Sequence, residues 1–248
     1  MPNHITNIIE ASPKVIESML NEEGYIDFNC AIPRHEDLSL NDADSVCSVA
    51  ESAAQLMCKE KISDNELLGR MQLVNQLRSS ALDMSDETFE QFVMMMRNKR
   101  NHGHYHMMDF ARTAWGTKWN AYGQNPENNK GSEVRFKTAW SHPKPVIIAL
   151  SKKLPEEKIS IKYADEDTGS NCGTYIIQNG EMLICDIAPN WNEQSQEQKR
   201  KYSKFAFQIT KPEMDPREYG YNEDWDYDEA VSDQYWAERD AAEESTKS

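Results

Sequence analysis

Apolar and polar positions along this chain change period several times, and each change marks an element. His4-Ile-Thr-Asn-Ile-Ile-Glu10 predicts a strand. Ser12-Pro13 marks a helix start, with Ser as N-cap and Pro in the first turn. Val15, Ile16, Met19 and Leu20 then recur at helical spacing up to Gly24. Tyr25-Ile-Asp-Phe-Asn29 predicts a second short strand, closed by Pro33. A helical stretch is expected over 41–115. Asp44 to Glu60 is rich in Ala, Val, Leu and Met, and Ser63-x-x-Glu66 is a capping box before Leu67, Leu68, Met71, Val74 and Leu77. Ser85-Asp86 starts a third helix with Phe89, Phe92, Val93 and Met96 on its apolar face. His106 to Trp115 forms a fourth, ended by Gly116.

After the polar loop Gly123–Ser132 the period becomes two. Val134, Phe136, Thr138 and Trp140 alternate with Arg135, Lys137 and Ala139, as in a half-buried strand. This places Trp140 on the apolar face beside Phe136 and makes it structural. Pro145 begins a helix, and Ile159, Ile161 and Tyr163 mark the next strand. Strand–helix–strand thus occurs twice, split by a helical insertion, which is the layout of a split β-α-β plait. Its central strands are 4–10 and 133–140, paired as neighbours. A hairpin follows, Thr174–Gln178 and Glu181–Asp186 around Asn179-Gly180, a favoured two-residue turn. Gln194–Lys204 is polar and helix-compatible, and Phe205–Ile209 suits a strand or a docking segment.

Composition narrows the class. Of the chain's net charge of −15, residues 212–248 carry −10, from 13 acids and three bases. That balance disfavours ordinary nucleic-acid binding, which rests on basic surface. It leaves basic protein partners, or mimicry of a nucleic acid's charge. Beyond Pro216 the composition resembles a disordered tail, yet Tyr219, Tyr221, Trp225, Tyr227, Tyr235 and Trp236 favour one partly docked on the core, with its acids over Arg135, Lys137 and Lys162. No run reaches membrane-spanning length, and no signal peptide is visible at the N-terminus. The five cysteines are odd in number and lack C-x-x-C spacing, which suits reduced thiols and a cytoplasmic setting in a bacterial host.

Three tryptophans fall within residues 115–142, Trp115 beside Gly116, Trp119 two residues after Thr117 and Trp140 beside Ser141. Four segments, Trp115–Tyr122, Thr138-Ala-Trp-Ser141, Tyr163-Ala-Asp-Glu-Asp167 and Gly169-Ser-Asn-Cys-Gly-Thr-Tyr175, together resemble the signature of the plasmid YubB-type and phage Api-type proteins. The resemblance covers about 103–187 well and 1–30 loosely. It departs just before Trp115, where Tyr105-His-Met-Met-Asp-Phe110 is less aromatic than expected. It implies a ferredoxin-like domain and a mobile-element setting, and no particular reaction. The expected fold is α+β: a ferredoxin-like split β-α-β plait with a helical insertion, an added β-hairpin and an acidic C-terminal tail. The expected parts are the first plait half at 1–34, the insertion and Trp-rich connector at 35–130, the second half plus hairpin at 131–191, and the extension at 192–248.

Candidate chemistry is sparse. Trp115, Lys118, Trp119, Asn120 and Tyr122 suit a recognition pocket with aromatic walls, one amide and one cation. The competing reading is that the tryptophans wedge the insertion against the plait. Ser141, His142, Asp165, Glu166 and Asp167 are further candidate binding residues. Asp165–Gly169 lacks the ligand spacing of a calcium loop. Asn101-His-Gly-His-Tyr-His106 invites a metal, but no Cys or carboxylate completes a set locally, so a polar helix junction with no metal is the reading taken. No phosphate loop, nucleophile motif or cofactor signature is present. The expected function is a non-enzymatic binding protein of a phage, prophage or plasmid that engages a host protein with a basic surface. Glu223, Asp224, Asp226, Asp228 and Glu229 are its candidate electrostatic contacts. Counter-defence or modulation of host nucleic-acid processing is the setting. A small-ligand (nucleotide) binder or enzyme using 115–122, and an acidic DNA mimic, are the alternatives.

Overall fold

The structure is a computed structural model that describes residues 2–38, 48–58, 66–77 and 84–247. It divides into a sheet unit, residues 1–31 with 120–248, and a helical unit, Ile32–Trp119. The expected insertion with its Trp-rich connector, 35–130, thus spans this helical unit and the first residues that follow it. The capping serine expected at position 63 lies outside the described residues.

The sheet unit holds β1 (His4–Glu10), β2 (Glu133–Ala139), β3 (Ile159–Asp165), β4 (Gly173–Gln178) and β5 (Glu181–Ile187), in the order β2-β1-β3-β4-β5 and antiparallel throughout. His4 pairs with Ala139 on one side of β1, and Ile5 with Asp165 on the other. Strands 4–10 and 133–139 are neighbours, as their alternation predicts. Because both β2 and β3 run against β1, they are parallel to each other, with the helix α6 (Lys144–Lys153) between them in sequence. That is a split β-α-β unit, and the class is α+β.

The expected strand at 25–29 does not form. Ile26 makes one isolated bridge to Leu20, and Phe28–Cys30 is a 3-10 turn capped by the Asp27 carboxylate. The backbone of this segment pairs with side chains instead. Ile26 N–H donates to Gln124 Oε1 at 2.7 Å, Gln124 Nε2 donates to Ile26 O at 3.0 Å, and Phe28 N–H donates to Asn120 Oδ1 at 2.9 Å. Tyr122 takes the edge position on β2 through two backbone bonds with Lys137, so β2 lies at the edge rather than the centre.

One sheet face buries Ile5, Ile9, Val134, Phe136, Ile159, Ile161, Tyr175 and Ile177, each at most 1% exposed. Each such aliphatic or aromatic side chain contributes roughly 1.5–3 kcal/mol on burial. Val146, Ile147 and Leu150 of α6 and Val15 and Ile16 of α1 (Pro13–Glu17) are buried too, and Phe28 meets Phe136 edge to face. The other face packs against α7 (Gln196–Thr210), where Tyr202, Ala206 and Ile209 join Ala164 and Cys172. Phe205–Ile209 is therefore the end of a helix, not a strand. The cover over Arg135 is α7, whose Ile209 carbonyl accepts from the guanidinium, rather than the acidic tail. Residues 216–219 form a 3-10 turn, and α8 (Glu229–Lys247) packs beside it.

In the helical unit, α2 (Ser48–Met57) packs against α3 (Glu66–Leu77) and α4 (Asp86–His102). Ala50, Ala54, Met95 and Tyr105 make its core. Ser85 caps α4 through Thr88 N–H, as the sequence predicts, and Gly103 ends it at φ 79°. α5 (Met107–Phe110) continues as a π-helix over Ala111–Trp115 and stops at Gly116. Among the described residues no helix is long and apolar enough to cross a membrane.

Candidate recognition site at the end of the sheet

The N-terminal end of β1 and the C-terminal ends of β2 and β3 meet at one edge of the sheet. There the structure gathers Tyr122, Ser141, His142, Asp165, Glu166 and Asp167. Asp165 is buried, and three donors reach its carboxylate. They are Asn3 Nδ2 at 3.2 Å, Asp167 N–H at 3.0 Å and Asn171 Nδ2 at 2.8 Å. A buried carboxylate needs such partners, since leaving it bare costs several kcal/mol. Asn3 also donates to Asp167 at 2.8 Å, and Glu166 accepts from His4 N–H at 3.0 Å. These acids tie strand ends together.

Trp140 departs from its expected place. The strand stops at Ala139, and Trp140 turns to φ 69°, which throws its indole outward to 50% exposure. Thr138, on the face expected of Trp140, and Ala139 are the last buried residues of the strand. A bulky residue in the left-handed region is uncommon and carries strain of about 1–2 kcal/mol. Two hydrogen bonds hold it there: Trp140 N–H donates to Asn3 O at 3.0 Å, and Asn171 Nδ2 donates to Trp140 O at 3.2 Å. Both asparagines also bind Asp165, so the carboxylate sets the clamp. Trp140, Ser141, Glu166, Asp167 and Asn171 are all exposed at this end of the sheet.

Behind it runs a buried polar chain. Thr138 Oγ1 donates to Ser141 O at 2.8 Å and accepts from Asn7 Nδ2 at 2.9 Å. Asn7 Oδ1 then faces His142 Nδ1 at 2.7 Å, and His142 Nε2 faces the Tyr175 hydroxyl at 2.5 Å. The amide oxygen can only accept, so Nδ1 carries the proton and Tyr175 donates to Nε2. Burial, helped by nearby Lys144, drives the His142 imidazole down to about 3. It is a neutral, satisfied group and cannot act as a base near neutral pH. Burial likewise pushes the Tyr163 hydroxyl up to about 12 and the Tyr175 hydroxyl higher.

Tyr122 donates to Thr138 O at 3.1 Å and accepts from His4 Nδ1 at 2.6 Å. Burial, and then Glu166, raises its hydroxyl above the ordinary value. Lys211 reaches Glu166 O at 3.4 Å while lying over the Tyr219 ring at 5.1 Å, and its burial lowers its ammonium.

The Trp-rich segment is divided between the two units. Trp115, Lys118 and Trp119 belong to the helical unit, whereas Asn120 and Tyr122 belong to the sheet unit. Trp115 is buried, with Nε1 donating to Ile32 O at 2.9 Å and Phe110 edge-on at 5.3 Å. Lys118 Nζ lies 4.8 Å over the Trp119 ring. Asn120 also donates to Asp27 at 2.8 Å. Asn120 and Tyr122 line an open polar groove of about 310 Å³ with Asn21, Tyr25, Asp27 and Gln124.

The tail acids divide as well. Arg200 grips Asp226 with two bonds, at 2.8 and 2.5 Å, and holds its carboxyl below the usual carboxylate range. Asp228 accepts from Ala230 N–H at 3.0 Å. Glu223, Asp224 and Glu229 are exposed.

The histidine run spreads apart. His102 goes to Asp37 at 2.8 Å, His104 to Thr113 at 3.1 Å, and His106 caps α5 and lies 3.6 Å from Glu51. His106 is the main cause that lowers the Glu51 carboxyl.

Residues 114–207 match the family model described as the ferredoxin-like domain in Api92-like protein. The match runs from the end of the π-helix through β2–β5 into α7, so this stretch is a ferredoxin-like domain. The crystal structure of a protein api92 from Yersinia pseudotuberculosis is similar to the chain at 9% identity, covering 76% of this chain and 99% of that one, with a TM-score of 0.34. None of the curated proteins compared matches the chain.

Proposed function

We propose that this chain is a non-enzymatic binding protein that recognises a basic surface of a host protein, with Trp140 as its anchor. The observation that carries the reading is the exposed indole held at φ 69° beside exposed Glu166 and Asp167. An indole face next to carboxylates suits an incoming Arg or Lys side chain, which gains cation–π and charge-assisted contacts together. Conformational strain is tolerated where surrounding bonds enforce it, and it concentrates at sites that bind or react. The potential general base, His142, is spent on internal hydrogen bonds, which favours binding over catalysis. Service to a phage, prophage or plasmid, in counter-defence or in modulating host nucleic-acid processing, is supported by the sequence resemblance.

Affinity capture from a bacterial lysate tests this. A partner retained by the wild type in proportion to its own basic surface, and lost with folded Trp140→Ala, supports the reading. Equal capture by both overturns it. A second reading, a small polar ligand, is favoured by the groove lined by Asn120 and Tyr122. Thermal stabilisation by nucleotides, lost in Asn120→Ala, would select that reading instead.

A further inference from the structure

We propose that His35, Asp37 and His102 form a site for a zinc-class divalent transition-metal ion, held by two imidazole nitrogens and one carboxylate oxygen, with a fourth position open to water. All three residues lie in the helical unit, far from the sheet-end surface in sequence and independent of its function. Their ligand atoms fall within 4.8 Å of one another. Asp37 Oδ2 is 2.8 Å from His102 Nε2 and 3.5 Å from His35 Nδ1. Bonds of about 2.0–2.2 Å to a tetrahedral ion place neighbouring ligand atoms roughly 3.3 Å apart. Two of the three separations bracket that value, and all three ligand atoms lie within 4.8 Å, so side-chain rotation brings them onto one ion.

Ion binding at this set is coupled to the hydrogen bonds already there. Asp37 N–H donates to the His35 Nδ1 lone pair at 3.2 Å, and His102 Nε2 donates to the Asp37 carboxylate at 2.8 Å, so an ion takes the place of both bonds and shifts the His102 proton to Nδ1. The two imidazoles stack with centroids 4.0 Å apart and planes 24° from parallel, each with a nitrogen near the Asp37 carboxylate, and one ring turns out of the stack for both to bind a single ion in their planes. The frame is firm. Leu38 is buried, Arg34 Nη1 donates to its carbonyl at 3.1 Å, and Trp115 Nε1 holds Ile32 O at 2.9 Å. His102 is the last residue of α4, where the carbonyl end of the helix favours positive charge. Nearby cations turn elsewhere, Lys99 over the Tyr105 ring and Arg100 toward Asn101.

Two nitrogens and one oxygen select among cations. They suit zinc, cobalt or nickel, whereas calcium and magnesium require more oxygens. Spacing along the chain could not reveal this set, because His102 stands 65 residues from Asp37.

Isothermal titration of tag-free protein with zinc chloride at neutral pH provides the test. One saturable equivalent is expected. Asp37→Asn retains an acceptor for His102 but removes the ligand charge, and His35→Ala alters a half-exposed side chain. Each should weaken zinc by at least about tenfold, the loss that even an outer partner's mutation produces. Cobalt chloride should give a visible absorption band in the wild type that both variants lose. No saturable zinc binding by the wild type overturns the proposal. So does zinc bound equally by the wild type and both variants, which would put the ion elsewhere.

Discussion

The ring of His142 lies face to face with that of Tyr163, their centroids 4.5 Å apart and their planes 15° from parallel. With Asn7 on one nitrogen and Tyr175 on the other, this imidazole is enclosed and neutral. Its folded value, about 3, lies below the ordinary 6.5. Between those values the unfolded chain binds a proton that the folded chain refuses. The stability contribution is therefore complete above pH 6.5 and is lost as pH falls from 6.5 toward 3. The loss is on the order of 5 kcal/mol as an upper bound. Urea unfolding across that window should show the decline. His142→Gln should remove close to one proton from the slope, and an unchanged slope would place the titration elsewhere.

Trp140 should matter little to stability. A half-exposed side chain gives up little buried area, so Trp140→Ala should change unfolding by under about 1 kcal/mol. Trp140→Gly should be at least as stable as the Ala variant, because Gly adopts a positive φ without penalty. A loss of roughly 3–5 kcal/mol in the Ala variant, the cost of emptying an aromatic core position, would show the indole to be buried.

The glycines of the 169–175 segment have separate reasons. A Cβ on Gly169 would sit 2.6 Å from Ser203 Oγ and 2.7 Å from Trp191 Cζ3, at φ +91°. A Cβ on Gly173 would meet Asp186 O and Ile187 Cα, both at 2.8 Å. Backbone cannot yield as a side chain can. Gly173→Ala should cost about 1–3 kcal/mol by overpacking, and Gly169→Ala about 2–4 kcal/mol because strain adds to it. Equilibrium denaturation of the two variants checks both, and neutral outcomes would contradict the close approach of α7 and β5.

The alternation of Val134 and Phe136, and of Ile159 and Ile161, made the sheet register readable, because a period of two fixes which side chains share a face. Trp140 broke the same rule through a single dihedral, supported by Asn3 and Asn171 from distant parts of the chain. The 25–29 segment looked like a strand, but its backbone partners are the amides of Asn120 and Gln124, which no local pattern announces. In α7 the polar surface masked the buried stripe of Tyr202, Ala206, Phe207 and Ile209. Asp165 and its neighbours were legible as a polar cluster, whereas their role as a clamp on Trp140 emerged only from the folded geometry.

The C-terminal extension is two things, and proteolysis should separate them. Phe207 of α7 receives Tyr219 at 5.5 Å, Tyr221 at 6.1 Å and Trp225 at 5.6 Å, each edge-on or nearly so. Such pairs contribute about 0.5–1.5 kcal/mol apiece beyond burial. Tyr221 is buried, and Arg200 pins Asp226 alongside. The first turns of α8 share this anchorage, through Ser232 Oγ donating to Glu218 O at 2.9 Å and Arg217 lying over the Tyr235 ring and 3.6 Å from Glu238. Residues 237–244 are exposed throughout. Trypsin should therefore cut after Arg239 well before Arg217. Removing 240–248 should leave the melting temperature unchanged, whereas removing 216–248 should lower it by several degrees, at about 2–4 °C per kcal/mol for a chain of this size. Cleavage after Arg217 as fast as after Arg239, or an unaltered melting temperature after the longer deletion, would show that the aromatics do not hold the extension to α7.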